Sequence, residues 1–297
     1  MAHAIAHEQS FRPSALPQGM RQLLVLIVLL VGTAAHAAIP EAERAALLDL
    51  HASTNGTGWL DDSGWGGAVG TECAWFGVTC DKGETTVEQL LLYDNNLVGP
   101  LPSTLNSLVN IKLLFLGNNL LTGEIPPLSG LFELRDLALG SNDLEGTIPS
   151  IDDLDELRTL DLGNNQLSGP IPELSGSRHL VGIDLSDNLL TGTLPGLSDL
   201  IALEHINVSD NLLSGTLQSL AGLSVLQSFQ VAANFFDGPP PTPPSPSALV
   251  PGASMLCPND LDAVASAEWD AATGVVPWYL DCVSSDVIFQ GDFELLP

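Results

Sequence analysis

Residues 157–172 read LRTLDLGNNQLSGPIP. The alternation Leu160, Asp161, Leu162 is that of a short strand with its leucines on one face. Asn165 carries both an acceptor and donors, so its side chain can pair backbone groups left free where the chain turns. Gly169 permits a tight bend, and Pro172 ends backbone pairing. The pattern recurs without gaps as VEQLLLYDNNLVGPLP (87–102), IKLLFLGNNLLTGEIP (111–126), LRDLALGSNDLEGTIP (134–149), LVGIDLSDNLLTGTLP (180–195), LEHINVSDNLLSGTLQ (203–218) and LQSFQVAANFFDGPPP (226–241). The aligned asparagines are Asn95, Asn119, Asn142, Asn165, Asn188, Asn211 and Asn234, spaced 24 and then 23 residues apart throughout. A period of that length marks a stacked repeat architecture. No single coil buries its own leucines, so coils stack and share one continuous core. The repeated Leu, Asn, Gly and Pro positions are therefore scaffold, and function lies in the variable positions between them.

The 297-residue chain holds 8 Lys+Arg against 36 Asp+Glu, a formal net charge of −28. Its apolar residues, 45% of the total, are mostly aliphatic, since aromatics make up 5%. That content supplies a core and excludes a disordered chain. The negative charge argues against nucleic acid, whose phosphates need Lys and Arg, and against anionic membrane. It favours a partner with a basic surface, or a role in solubility.

The amino terminus reads as an export signal over residues 1–37. Arg21 precedes the apolar run Leu23–Val31, and Ala35-His36-Ala37 fits a small-x-small cleavage site, so the mature chain is expected to start at Ala38. The run is shorter than the roughly 20 residues of a membrane span. No later run reaches that length, so no transmembrane anchor is expected. Met20 stands ahead of a complete basic, apolar and cleavage series and is a second candidate start. Export favours disulfides. The four cysteines fall as Cys73 with Cys80 and Cys257 with Cys282. Four cysteines allow three connectivities, and pairing within each couple follows if a rigid body separates them. Zinc is the rival reading; no paired CxxC and no nearby histidine supports it.

The repeats resemble the plant-type leucine-rich-repeat family, whose subtype mark GxIP stands at Gly123–Pro126, Gly146–Pro149 and Gly169–Pro172. The segment ALLDLHASTNGTGWLDDSGW followed by CAWFGVTC looks like that family's amino-terminal cap, with its CxWxGVxC motif at Cys73, Trp75, Gly77, Val78 and Cys80. The resemblance implies an α/β solenoid: a right-handed leucine-rich-repeat superhelix with a parallel concave β-sheet of about seven coils and an amino-terminal cap. A cap is needed because the first coil would otherwise expose its leucines. Glu41–His51 reads as the cap helix behind Pro40, and Trp59, Trp65 and Trp75 as the cover of the open end. The family's best-known members are receptor-kinase ectodomains and inhibitors of secreted cell-wall-degrading enzymes, which implies a free recognition module here. The ending IFQGDFE (288–294) is similar to the short IFxxGFE-type tails of some secreted Gram-negative bacterial proteins, with Gly291 and Asp292 in swapped order. That similarity implies a bacterial export.

The expected organisation is an export signal (1–37), a cap (38–86), seven repeats (87–238), a stiff proline-rich linker (239–250) and a small carboxy-terminal segment with one disulfide (251–297). Strand alternation then assigns the concave face. Its central outward row reads Leu91, Phe115, Ala138, Asp161, Asp184, Asn207, Gln230; the row two residues earlier reads Gln89, Leu113, Asp136, Thr159, Gly182, His205, Ser228. Leu91, Tyr93, Leu113 and Phe115 make an apolar patch at the amino-terminal end, unless the cap loop 81–86 folds over it. Asp136, Asp161, Asp184 and Asp187 make an acidic stripe: a solvated face, a seat for a basic partner, or a calcium site, although no calcium-binding motif supports the last. His205, Ser228 and Asp184 invite a Ser-His-Asp reading, but an open sheet supplies no oxyanion hole, so no enzyme and no cofactor or metal is expected. Asn55-Gly-Thr57 and Asn207-Val-Ser209 match the glycosylation sequon. The expected function is a secreted, non-catalytic module that binds a protein or peptide on its concave sheet. The alternatives are a structural or adhesive surface protein and an inhibitor of a secreted enzyme.

Overall fold

A computed structural model describes residues 38–282. The assigned export signal and the 288–294 ending lie outside the described residues.

Each repeat contributes one strand to each of two sheets. The concave sheet contains β1 (Val78–Cys80), β2 (Val87–Leu91), β4 (Leu113–Phe115), β6 (Asp136–Ala138), β8 (Thr159–Asp161), β10 (Gly182–Asp184), β12 (His205–Asn207) and β14 (Ser228–Gln230), in that spatial order. All pairs are parallel except β1 with β2, which the 81–86 turn joins as an antiparallel hairpin. The second sheet holds β3 (Val98–Pro100), β5 (Leu120–Glu124), β7 (Asp143–Thr147), β9 (Gln166–Pro170), β11 (Leu189–Gly192), β13 (Leu212–Thr216), β15 (Phe235–Gly238) and β16 (Asp260–Leu261). This second sheet arises from the L-x-G-x-I/L stretch. Its glycines from Gly123 to Gly238 stand at φ between 73° and 82°, a bend that a side chain would strain. Among the described residues the α-helices are α1 (Glu41–Ser53) in the cap and α2 (Ala267–Thr273) after the last coil.

One apolar core runs between the sheets. Leu160 and Leu162 of the concave strand, Leu167 of the second strand, and Ile151, Leu154 and Leu157 of the return segment are all buried, and the other coils repeat the set. The asparagine ladder stitches the coils. Asn165 Oδ1 accepts from Leu144 N of the preceding coil at 3.0 Å, and its Nδ2 donates to Leu162 O at 3.0 Å and to Leu139 O at 3.2 Å. The residue before each ladder asparagine is left-handed, with φ from 52° to 57° between Asp94 and Ala233. Asn and Asp tolerate that region, which explains the repeated Asn-Asn and Asp-Asn pairs.

At the amino-terminal end α1 covers the first coil. Buried Glu43 accepts from Val87 N at 2.7 Å and Thr86 Oγ1 at 2.5 Å, so a carboxylate satisfies the start of β2. Arg44 pairs with buried Glu72 and lies over the Trp75 ring, 5.2 Å from its centroid. Trp59, Trp65 and Trp75 form a cluster with centroids 4.9 and 5.2 Å apart. Disulfides join Cys73 to Cys80 and Cys257 to Cys282.

The carboxy-terminal organisation differs from the expected one. The described residues form eight coils rather than seven, because residues 254–261 repeat the turn. Val231 N donates to Met255 O at 2.8 Å, β16 pairs with β15, and Asn259 Oδ1 accepts from Phe236 N at 3.1 Å. Asn259 is thus an eighth ladder asparagine. Residues 239–250 are not a spacer between two units. They form the outer part of this last turn, with Pro241 and Pro244 buried and Thr242 O accepting from Leu220 N at 2.9 Å. Nor is the segment from 251 a separate small unit. Trp269 of α2 is fully buried, packs against Phe229 at 6.0 Å and donates from Nε1 to Pro241 O at 3.0 Å. Its disulfide fastens this closing layer, because the last coil, like the first, would otherwise expose its core.

Candidate functional site

The sheet register aligns the variable side chains in the order that alternation requires. Leu91 pairs with Phe115, Phe115 with Ala138, Ala138 with Asp161, Asp161 with Asp184, and Asp184 with Asn207. One row over, Gln89 pairs with Leu113, Leu113 with Asp136, Asp136 with Thr159, and Gly182 with His205.

At the amino-terminal end Tyr93 is 63% exposed and Leu91 36%, with Leu113 and Phe115 half-buried beside them. The 81–86 turn lies by the start of β2, where Thr86 Oγ1 accepts from Asn110 Nδ2 at 2.9 Å, whereas Tyr93 lies past the end of that strand. The aromatic ring reaches over Gly117 of the next coil, where an added Cβ would meet it at 3.3 Å.

The acidic residues do not form a single stripe. Asp161 and Asp184 stand side by side on β8 and β10, and Asp136 lies one row down, opposite Thr159. Asp187 leaves the sheet: it is one of the left-handed residues at the rim, exposed, and its electrostatic neighbour is Asp210. The turn that brings Asn188 into the ladder carries the preceding side chain outward, which alternation along a straight strand could not anticipate. Burial raises the Asp210 pKa, and Asp187 adds to the rise. Asp210 is the residue the sequence reading missed; the repeated Ser-Asp-Asn of 186–188 and 209–211 was its signal.

Asp161 and Asp184 border a shallow hollow of about 370 Å³, lined also by Thr159, Gly182, His205, Asn207, Ser228 and Gln230. Gly182 opens it, since a Cβ there would meet nothing within 4 Å. Asp161 Oδ1 accepts from Gly163 N at 3.2 Å, and Asp184 Oδ1 from Ser186 N at 3.0 Å and Ser186 Oγ at 2.6 Å. Burial holds the Asp161 carboxyl above the usual aspartate range and Asp184 adds to the rise, while the Gly163 hydrogen bond opposes it. The hollow, lined also by Leu160, Ile183 and Ile206, is thus a mixed recess whose two carboxylates suit a cationic group.

No catalytic relay is assembled from His205, Ser228 and Asp184. Ser228 Oγ donates to Ala253 O at 2.6 Å, and His205 registers with Gly182, two residues short of Asp184. No group of three His, Cys, Asp or Glu side chains placed to hold a metal ion forms among the described residues. No helix among the described residues is long and apolar enough to cross a membrane.

The Leucine Rich Repeat family model matches residues 156–177, the fourth coil. No curated protein matches the chain. Among solved structures, the chain is similar to the ectodomain of the plant membrane receptor kinase GASSHO1/SCHENGEN3 from Arabidopsis thaliana in complex with CASPARIAN STRIP INTEGRITY FACTOR 2, at 29% identity and TM-score 0.61 over 74% of this chain and 30% of that one. It is similar to PEPR1 in the PEPR1–AtPEP1 structure at 22% identity and TM-score 0.58, over 80% of this chain and 37% of that one. It is similar to the ectodomain of the receptor kinase SOBIR1 from Arabidopsis thaliana at 26% identity and TM-score 0.50, over 59% of this chain and 95% of that one. The chain spans about a third of the length of the first two. It carries a leucine-rich-repeat match on one coil and shares the parallel-sheet solenoid fold of plant leucine-rich-repeat ectodomains.

Proposed function

We propose that the protein is an extracellular, non-catalytic recognition module that binds a protein or peptide across its concave sheet. The observation that carries this reading is the graded face. The apolar row of Leu91 and Phe115, flanked by Leu113 and Tyr93, runs in strand register into the Asp161–Asp184 recess. A purely structural solenoid needs only a repeat-invariant face, whereas contiguous exposed apolar side chains mark contact sites. The similar GASSHO1/SCHENGEN3 ectodomain was solved with CASPARIAN STRIP INTEGRITY FACTOR 2, which supports a polypeptide ligand. The two disulfides suit an oxidising compartment. In this reading Leu91, Tyr93, Leu113 and Phe115 are the anchors, and Asp136, Asp161 and Asp184 attract a basic part of the partner.

The test is affinity capture with the purified mature chain and with a Tyr93→Ala/Phe115→Ala variant. A partner retained by the parent and lost by the folded double variant supports the concave site. A partner retained equally by both places the site elsewhere.

A further inference from the structure

The second sheet carries a face that concave-sheet recognition does not use. The residue after each ladder asparagine lies on its outer side, and on three consecutive coils that residue is apolar: Leu189 is 51% exposed, Leu212 44% and Phe235 62%. The two preceding coils have Asp143 and Gln166 there, and the following coil has Asp260. Their neighbours Leu190, Leu213 and Phe236 fill the core and are fully buried, so the three exposed side chains have no part in it. Register sets them in an oblique line. Leu212 faces Thr191 and Phe235 faces Ser214, a stagger of two residues at each coil. Successive apolar residues therefore stand about 8 Å apart, from a strand spacing of about 4.8 Å and a two-residue rise of about 6.6 Å. The small Thr191 and Ser214 beside them leave the line open to contact from outside.

Carboxylates frame this stripe. Asp187 and Asp210, each two residues before its leucine, are exposed at the rim. Burial raises the Asp210 pKa and the charge of Asp187 adds to the rise. Beyond Phe235, Asp237 and Asp260 face each other across β15 and β16, both exposed. Like charges set directly opposite destabilise a sheet. Among the described residues no ion pair includes any of the four aspartates. No Lys or Arg follows Arg178, whereas acidic residues run on to Glu294.

We infer that this stripe is a second contact surface whose occupant is an extended segment of a partner protein, with alternate apolar side chains over Leu189, Leu212 and Phe235 and Lys or Arg at both ends. Charge decides among the occupants. A second copy in an isologous contact would set the four aspartates against the same four. The chain's own residues 283–297 hold Asp286, Asp292 and Glu294 and no Lys or Arg. An anionic membrane is repelled in the same way. A basic segment relieves both aspartate couples while it covers the apolar line. Alternate residues of an extended chain recur at about 6.6 Å, close to the oblique step. Contiguous apolar surface with a polar rim is the composition of a contact site. The stripe lies on the second sheet, so this inference does not rest on the concave-face reading.

The test is calorimetric titration of the full mature chain with a synthetic peptide, Lys-Lys-Leu-Ser-Leu-Ser-Leu-Lys-Lys, against a control in which serine replaces every leucine. The expected result is saturable binding of the leucine peptide, weakened about tenfold or more by Leu212→Ser/Phe235→Ser, which removes two exposed anchors. Asp210→Asn/Asp237→Asn should weaken it too and flatten its dependence on salt. All four positions are exposed, so circular dichroism should show both variants folded. Absence of binding, or binding that Leu212→Ser/Phe235→Ser leaves unchanged, overturns the surface. Equal binding of the serine control shows a counterion effect alone and overturns it as well. A parent dimer that Phe235→Ser dissociates, read by light scattering, overturns the occupant in favour of a second copy. Peptide binding should be unchanged in Tyr93→Ala/Phe115→Ala, whose capture experiment reads the other sheet, so failure here and failure there are distinguishable.

Discussion

The carboxylate of Asp161 lies over the bare Cα of Gly140 on the preceding coil, so that a Cβ on Gly140 would stand 2.4 Å from Asp161 Oδ1. Gly163 seats Asp184 in the same way, with an added Cβ 2.9 Å from its Oδ1. The small residues beside the central row are thus shaped to receive the long side chains of the next coil.

Gly140→Ala is therefore a way to move Asp161 without touching it. Gly140 is not among the positive-φ residues, so alanine suits its backbone. The expected outcome is an intact fold with a displaced Asp161 carboxylate, and association with a cationic partner slowed as much as by Asp161→Asn. Surface-plasmon kinetics of the two variants against the parent check this; an unchanged on-rate for Gly140→Ala alone would show that the carboxylate position is immaterial.

The pH dependence follows from the raised Asp161 pKa. The folded state holds this proton more tightly than the unfolded chain does. The ionised carboxylate therefore costs stability at neutral pH, and that cost disappears as pH falls through the raised value. Asp161→Asn should be more stable than the parent at neutral pH by less than about 1 kcal/mol, given solvent screening at a half-exposed site. The difference should vanish below the carboxylate range. Urea unfolding of both chains at the two pH extremes measures it.

The aromatic and acidic halves of the face should separate kinetically. Replacing Tyr93 or Phe115 by Ala should speed dissociation by roughly five- to thirty-fold, equivalent to about 1–2 kcal/mol for an anchor. Replacing Asp161 and Asp184 by Asn should mainly slow association and flatten its dependence on salt. Stopped-flow rates at two ionic strengths distinguish the two classes.

Asn165→Ala should destabilise the chain by about 1–3 kcal/mol, because it strands Leu144 N in the core, while the carbonyls of Leu139 and Leu162 keep Asn142 Nδ2 and Asn188 Nδ2 as donors. The exposed neighbour change Gln166→Ala should stay within about 0.5 kcal/mol. Equilibrium unfolding of the pair gives both figures, and equal values would refute the ladder's role.

Trp269→Ala should cost about 3–5 kcal/mol and lower the stability of the whole solenoid, since the indole packs on Phe229 and donates to Pro241 O. A chain ending at Gly238 should lose cooperative unfolding or aggregate, with the core at Phe229 and Phe236 uncovered. Calorimetry showing an unchanged solenoid transition in either variant would restore an independent tail.

Much of this molecule is legible from its repeat period. Once Asn95 to Asn234 fall at near-constant spacing, each concave residue has one neighbour on the next coil, so Leu91–Phe115 and Asp161–Asp184 follow from alignment alone. The eighth coil was not legible. Asn259 stands 25 residues after Asn234, behind a proline run that carries no leucine pattern, and its role shows only in the Oδ1 contact to Phe236 N. Asp187 was misplaced for a related reason: alternation holds within a strand and fails where the backbone turns left-handed.

The amino-acid sequence by itself determined the stacking, the inward leucines, the asparagine ladder and the order of side chains along the face, because a fixed period imposes register on every coil. Tertiary structure alone decided three things: that Asp161 rests over Gly140, that Lys112 pairs with Glu88, and that the carboxy-terminal segment closes the core. Each depends on where a side chain lies relative to atoms about one coil away, and such distances are set by packing, not by position in the repeat.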